Sequence, residues 1–224
     1  MKTYVFGHSS LGLPILAYRT PTTASPSHRV LVLGGVHGDE IEGVALAHAL
    51  IAERLKTPSS RIDLTIVPEF NIDGILLKTR GNGNGVDLNR NLPTKDWSPI
   101  ATTPRYQPGP KALSEIENQS LVQFIETEKP IFIISLHSWK PLLNINEPPN
   151  STLCHKVASR IASFTGDIIE PTIGYSTPGC LGTYAGLERG IPTITYEIER
   201  GLKLNAVVQK HLAPLLEGLK VLET

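Results

Sequence analysis

Short strand-like runs at Val30–Leu33, Leu64–Val67, Ile131–Leu136 and Thr193–Ile198 alternate with helical patterns along the 224 residues, and this alternation constrains the fold most. Apolar runs of this length are too short for buried helices and suit strands covered on both faces. Between the first two, Ile41, Val44, Ala45, Ala49 and Ala52 recur at helical spacing, which predicts a helix from about Ile41 to Leu55. Further helices are expected at about Ser114–Glu128, opened by the capping box Ser114-Glu-Ile-Glu117, at Ser151–Phe164, at Asn205–Leu219, and as a short piece at Gly182–Glu188. Tyr4–Phe6, Pro14–Tyr18 and Ile168–Glu170 read as shorter strands. Strands alternating with helices predict an α/β chain with a mainly parallel sheet, and the length suits one domain over residues 1–224.

Composition removes several classes of function. Lys plus Arg and Asp plus Glu balance at 21 each, so there is no basic field of the kind that favours nucleic acid or a membrane surface. Cys154 and Cys180 are far apart and form no CxxC pair, which argues against a disulfide scaffold or a cysteine zinc site. The first ten residues lack the apolar core of a secretory signal, and no later run has the length of a membrane span; a soluble cytoplasmic protein is expected. Pro21–Ser27 reads as a loop. Asn71–Asn91, rich in Gly and Asn, and the proline-rich stretch to Pro110 read as one long irregular region, which in a compact domain is usually functional.

Chemistry gathers at the strand ends. After Val30–Leu33 and two glycines, His37 and Glu40 stand three apart, a spacing that lets both side chains converge. By itself the pair is equally a surface His and Glu. His137 follows another strand, and two His with one Glu is a known ligand set of catalytic zinc, although a lone strand-end histidine is as often simply hydrogen-bonded. In Thr193–Glu199, period two places Thr195, Glu197 and Glu199 on one face, so a carboxylate there either faces a polar site or lies on a solvated edge strand. Arg80 and the Asp87-Leu-Asn-Arg-Asn91 run offer guanidinium and amide donors for a carboxylate or an oxyanion, unless they are ordinary surface residues. Gly81-Asn-Gly-Asn-Gly85 is a poor phosphate loop because it does not open a helix.

Together, His37-Gly-Asp-Glu40, Asp87-Leu-Asn-Arg-Asn91, Ser135-Leu-His-Ser138 and Thr195-Tyr-Glu197, in this order, resemble the zinc metallocarboxypeptidases, the family of carboxypeptidase A. Gly7–Pro14 and Arg80–Asn91 look closest to its short bacterial branch, the murein peptide amidases. The resemblance implies a three-layer αβα fold around a mixed, mainly parallel eight-stranded sheet. It implies one zinc ion on His37, Glu40 and His137, with Glu197 as general base and acid and Arg80 polarising the scissile carbonyl. It also implies that Asn89 and Arg90 grip a terminal carboxylate and that Tyr175 caps the substrate. Asp39 stands where the digestive enzymes carry an arginine, and Gly182 where they place a side chain that tunes specificity, so a pocket open to a long side chain is expected.

The implied reaction is hydrolysis of the amide between γ-D-glutamate and meso-diaminopimelate in a small murein peptide, as part of cell-wall recycling. Strand parity makes Glu199 a candidate partner for the diaminopimelate ammonium. Other readings are a carboxypeptidase acting on other peptides, a deacylase resembling aspartoacylase, and an inactive peptide-binding module. No nucleic-acid or membrane partner is expected, and no motif points to an oligomeric state.

Overall fold

The structure is a computed structural model that describes residues 1–20, 28–57, 61–101 and 103–223. Eight strands form one sheet: β1 (Lys2–His8), β2 (Pro14–Arg19), β3 (His28–Gly34), β4 (Ile62–Val67), β5 (Phe132–Trp139), β6 (Leu142–Asn146), β7 (Ile168–Glu170) and β8 (Thr193–Glu199). Their order is β1-β2-β4-β3-β5-β8-β6-β7. The central β4, β3, β5 and β8 are mutually parallel, while β1 and β2 on one side and β6 on the other join antiparallel. The sheet is therefore mixed and mainly parallel, as the resemblance implies.

The apolar runs are continuous because both faces of these strands are covered. In β3, Val30 and Val32 pack with Leu46 and Leu50 of α1 (Ile41–Lys56), Val157 and Ile161 of α4 (Leu153–Thr165), and Val207 and Leu215 of α5 (Leu204–Lys220). Leu31 and Leu33 face the opposite layer, with Leu121 and Ile125 of α3 (Ile116–Glu128) and Tyr184 of a π-helical turn at Gly182–Leu187. Burying each such aliphatic side chain contributes about 1.5–3 kcal/mol, so the two cores hold the parallel strands and, with them, the loops at their carboxyl ends.

The irregular region is more ordered than its composition suggests. It contains a further helix, α2 (Ile72–Leu77), started by Asn71, whose side chain accepts from Gly74 N at 2.9 Å. This helix escapes a periodicity reading because it is short and contains Gly74, which is there for space: a Cβ on it would come within 2.5 Å of the Gly81 carbonyl oxygen, and the backbone of Gly38 lies against it on another side. The capping box is displaced as well. α3 starts at Ile116 with Glu115 at its cap position, and Glu117 instead accepts from Ser10 N at 2.8 Å and from Asn82 Nδ2 at 3.2 Å. Asn82 Nδ2 and Asn84 Nδ2 also donate to Glu115 Oε2, at 2.7 and 2.9 Å. Carboxylates thus surround Gly81–Gly85, a setting opposite to a phosphate cradle. Two strand readings also change. β5 continues beyond His137 to Trp139, and Leu142–Asn146, outside the expected strands, pairs with β8 as β6. The expected Pro21–Ser27 loop lies outside the described residues.

Candidate metal centre

β3 ends at Gly34, and His37 and Glu40 follow in the turn before α1; Gly35, at φ +64°, bends the chain there. His137 sits near the end of β5, directly in register with Glu197 of β8. The fold brings His37, Glu40 and His137 together, with ligand atoms all within 4.8 Å of one another and each residue buried. His37 Nδ1 lies 3.0 Å from Glu40 Oε1, His137 Nδ1 lies 2.9 Å from Glu40 Oε2, and the two Nδ1 atoms are 3.0 Å apart.

The outer ring nitrogens are occupied. His37 Nε2 lies 3.1 Å from Asp87 Oδ1, and His137 Nε2 lies 2.9 Å from Ser135 Oγ. Burial alone would raise the Asp87 carboxyl, but His37, Arg80 and Arg90 outweigh it and hold the group well below the usual carboxylate range. An ionised Asp87 places the His37 proton on Nε2 and leaves Nδ1 as a lone pair facing the triad. Lone pairs and a carboxylate converging in a buried site need a cation among them, and two imidazoles with one carboxylate suit zinc.

Around the triad, Arg80 donates from Nη1 to Glu40 Oε1 at 3.1 Å and from Nε to Asp87 Oδ2 at 2.8 Å. Glu197 is buried, and its Oε2 has no hydrogen-bond partner. Burial raises its carboxyl to about 7, with His137, Arg80 and Arg200 pulling it down and Glu40 pushing it up. The cleft over these groups has a volume of about 520 Å³ and includes Asn89, Arg90 and Tyr175 in its walls.

The Asn89–Leu92 segment is pinned to the loop before the π-helical turn. Asn89 Oδ1 accepts from Leu181 N at 2.8 Å, Leu92 N donates to Gly179 O at 3.0 Å, and Arg90 is buried with Nη1 donating to Asn89 O at 2.8 Å. Tyr175 is half-exposed at the rim, its ring 6.2 Å from that of Tyr106 and 6.1 Å from that of Trp139. Gly182 faces Asn146, which donates to Asn144 at 2.8 Å, and all three residues line the cleft.

Glu199 is not brought to this site. It shares parity with Glu197 but is the exposed last residue of β8 and does not line the cleft, so the proposed ammonium contact loses its basis. Three contributors escape a sequence reading. Asp87 is visible in its motif, but its role on His37 is not. Tyr106, stacked about equally over the Arg80 and Arg90 guanidiniums at 5.0 and 5.1 Å, lies in a proline-rich stretch without periodicity. Ser135, two residues before His137, is visible in its motif and shares a strand face with His137, but its contact with His137 Nε2 is not.

Comparison with known proteins agrees with this geometry. Residues 1–199 match the zinc carboxypeptidase family. The murein peptide amidase A of Vibrio campbellii is 31% identical over 218 residues, covering 92% of this chain and 83% of that protein. That of Escherichia coli K12 is 34% identical over 190 residues, covering 80% and 74%. Among solved structures, the murein-tripeptide amidase of Escherichia coli O157 superposes with a TM-score of 0.77 at 27% identity, covering 96% of this chain and 91% of that one. Carboxypeptidase A of Helicoverpa armigera shares the fold, with a TM-score of 0.80 at 20% identity over 98% of this chain and 67% of that one. A buried His-Glu-His triad at the carboxyl ends of parallel strands, within a match spanning nearly the whole chain, makes this protein a member of the zinc carboxypeptidase family.

Proposed function

We propose that this protein is a zinc-dependent murein peptide amidase that hydrolyses the amide between γ-D-glutamate and meso-diaminopimelate in small cell-wall peptides. The observation that carries the hydrolytic reading is the unpartnered Glu197 Oε2 in the same cleft as the His37, Glu40 and His137 triad. Support for the substrate comes from the relatives named murein peptide amidase and from a cleft wall in which Asn146 and Asn144 take the space beside Gly182 and offer polar amides to the substrate.

His37 Nδ1, His137 Nδ1 and Glu40 would hold the zinc, which when bound supplies a Lewis acid and lowers the pKa of a water molecule in the site. Glu197 takes a proton from the attacking water at its free oxygen and later gives it to the leaving amine. Arg80, oriented by Asp87, directs its guanidinium toward the oxyanion that develops on the scissile carbonyl. Arg90 and Asn89 hold the carboxylate of the leaving diaminopimelate, and Tyr175 closes over it from the rim. The same clamp serves an amidase and a carboxypeptidase, because the leaving residue carries a free carboxylate in both.

Within this reading the enzyme works in the cytoplasm on recycled tripeptide; two free cysteines suit a reducing compartment. The test combines metal analysis with turnover of L-alanyl-γ-D-glutamyl-meso-diaminopimelate, set beside peptides ending in lysine or phenylalanine. The expected result is one zinc per chain and a strong preference for the tripeptide. Equal or better turnover of the ordinary peptides would replace this reading with a general carboxypeptidase.

A further inference from the structure

Four guanidiniums, those of Arg80, Arg90, Arg105 and Arg200, line the cleft, and the reaction described above employs the first two. Arg105 belongs to a 3-10 turn at Pro104–Tyr106, and Arg200 immediately follows β8. They are far apart in sequence, yet both converge on one oxygen. Arg105 Nη2 and Arg200 Nη2 each lie 2.8 Å from Asp39 Oδ2, and Arg200 Nη2 also donates to Asp39 O at 2.9 Å. Asp39 lies between the ligands His37 and Glu40, and Arg200 Nη1 stands 3.8 Å from Glu40 Oε1. The pair therefore borders the reaction centre. One carboxylate shared by two guanidiniums leaves a positive charge, and each guanidinium carries five N–H donors in a fork suited to a carboxylate. Both side chains remain partly exposed, at 44% and 38%, so donors are open to the cleft.

We propose that Arg105 and Arg200, held together by Asp39, form an anion subsite for the free α-carboxylate of a γ-linked glutamyl residue on the acyl side of the scissile bond. This rests on the amidase reading and deepens it. When glutamate is linked through its side chain, its α-carboxylate hangs a few carbon–carbon bonds of about 1.5 Å each from the scissile carbonyl. An ordinary α-linked peptide presents a backbone amide there and no negative charge. Arg90 holds the anion of the leaving residue, so a second cationic site beside the metal ligands answers the remaining carboxylate of the substrate. Asp39 acts as a positioning residue, turning two mobile arginine side chains into one preorganised fork.

The experiment measures kcat and KM of the zinc-loaded enzyme on murein tripeptide and on the same peptide with the glutamyl α-carboxylate converted to carboxamide. Wild type is expected to lose about tenfold or more in kcat/KM on the amide, the scale of a charge-assisted hydrogen-bonded contact. Arg105→Gln, which touches no metal ligand, and Asp39→Asn are expected to lower kcat/KM on the carboxylate substrate, mainly through KM, and to leave the amide nearly unaffected, with zinc content retained. Equal turnover of both substrates by wild type, or unchanged discrimination in Arg105→Gln, overturns the subsite while the amidase reading stands. If wild type cleaves neither, the amidase reading falls. The subsite is then judged by binding of L-alanyl-D-glutamine, which keeps the α-carboxylate: weaker binding to Arg105→Gln supports it and equal binding overturns it.

Discussion

Asp87→Asn tests the link between the loop Asp87–Asn91 and the metal triad. Asp87 is fully buried and serves three donors: His37 Nε2 at 3.1 Å and Asn89 N at 2.9 Å on Oδ1, and Arg80 Nε at 2.8 Å on Oδ2. An asparagine of the same shape has one oxygen and one NH2, so it must fail one side. If the amide oxygen stays toward His37, the NH2 meets the Arg80 Nε–H, donor against donor, and Arg80 loses its orientation. If the amide flips, its NH2 faces His37 Nε2, and the imidazole proton moves to Nδ1, the atom that faces the triad. Each lost charge-assisted hydrogen bond is worth ~1.5–3 kcal/mol. Loss of such an outer partner of a metal-binding histidine weakens metal affinity by about 10–100-fold, or ~1.4–2.8 kcal/mol. Zinc affinity is measured by competition with a chromophoric chelator, and kcat/KM on the reconstituted variant. Unchanged zinc affinity together with unchanged kcat/KM would refute the claim that Asp87 sets the tautomer of His37 and the direction of Arg80.

Glu197→Gln keeps the triad and removes the proton acceptor; zinc content should be retained while kcat falls by about 10²–10⁴-fold, and appreciable remaining turnover would contradict the role. Gly182→Val places a Cβ 2.7 Å from the Asn146 side chain, so Asn146 must leave its place beside Asn144 in the cleft wall; kcat/KM on the tripeptide should drop with zinc content retained, and an unchanged kcat/KM would contradict a substrate role for this wall. The contribution of His211 to folding stability should fall as pH drops below about 6.5, the ordinary imidazole value, and is read as a difference between wild type and His211→Gln because Glu197, raised to about 7, acts in the opposite sense in both. Burial disfavours the charged form of His211, with Lys210 acting in the same direction and Asp167 and Glu199 opposing. His211 Nδ1 lies 2.7 Å from the Tyr196 hydroxyl. With the folded pKa depressed, the unfolded chain binds the proton more readily, so this contribution rises with pH through the window below about 6.5. The difference in urea midpoint between wild type and His211→Gln should change across that window, wild type losing ground as pH falls, and a constant difference would refute the role of His211.

Sequence alone was enough to identify the parallel core, because apolar runs such as Val30–Leu33 and Ile131–Leu136 can be stable only when covered on both faces, and that demand is local. It also marked His37, Glu40 and His137 as chemistry at strand ends. It did not reach α2 or β6. α2 depends on Gly74 lying against Gly38, and β6 is a strand because β8 offers it an edge. The capping box at Ser114 failed because local rules assume that nothing distant competes, and the parity reading of Glu199 failed because a shared strand face does not fix how far along the strand the cleft extends. Ser10 and Asn82 take Glu117, while Glu199, in register with Trp139 at the end of β8, stays exposed outside the cleft. What only the tertiary structure decided is which polar groups share a charge. Asp87 on His37 and Arg80, Tyr106 over two guanidiniums, and Asp39 between Arg105 and Arg200 are contacts between residues whose spacing in the chain carries no period. Backbone periodicity encodes burial, but electrostatic partnership is set by distance in space, and the sheet sets those distances by bringing the ends of β3, β5 and β8 together.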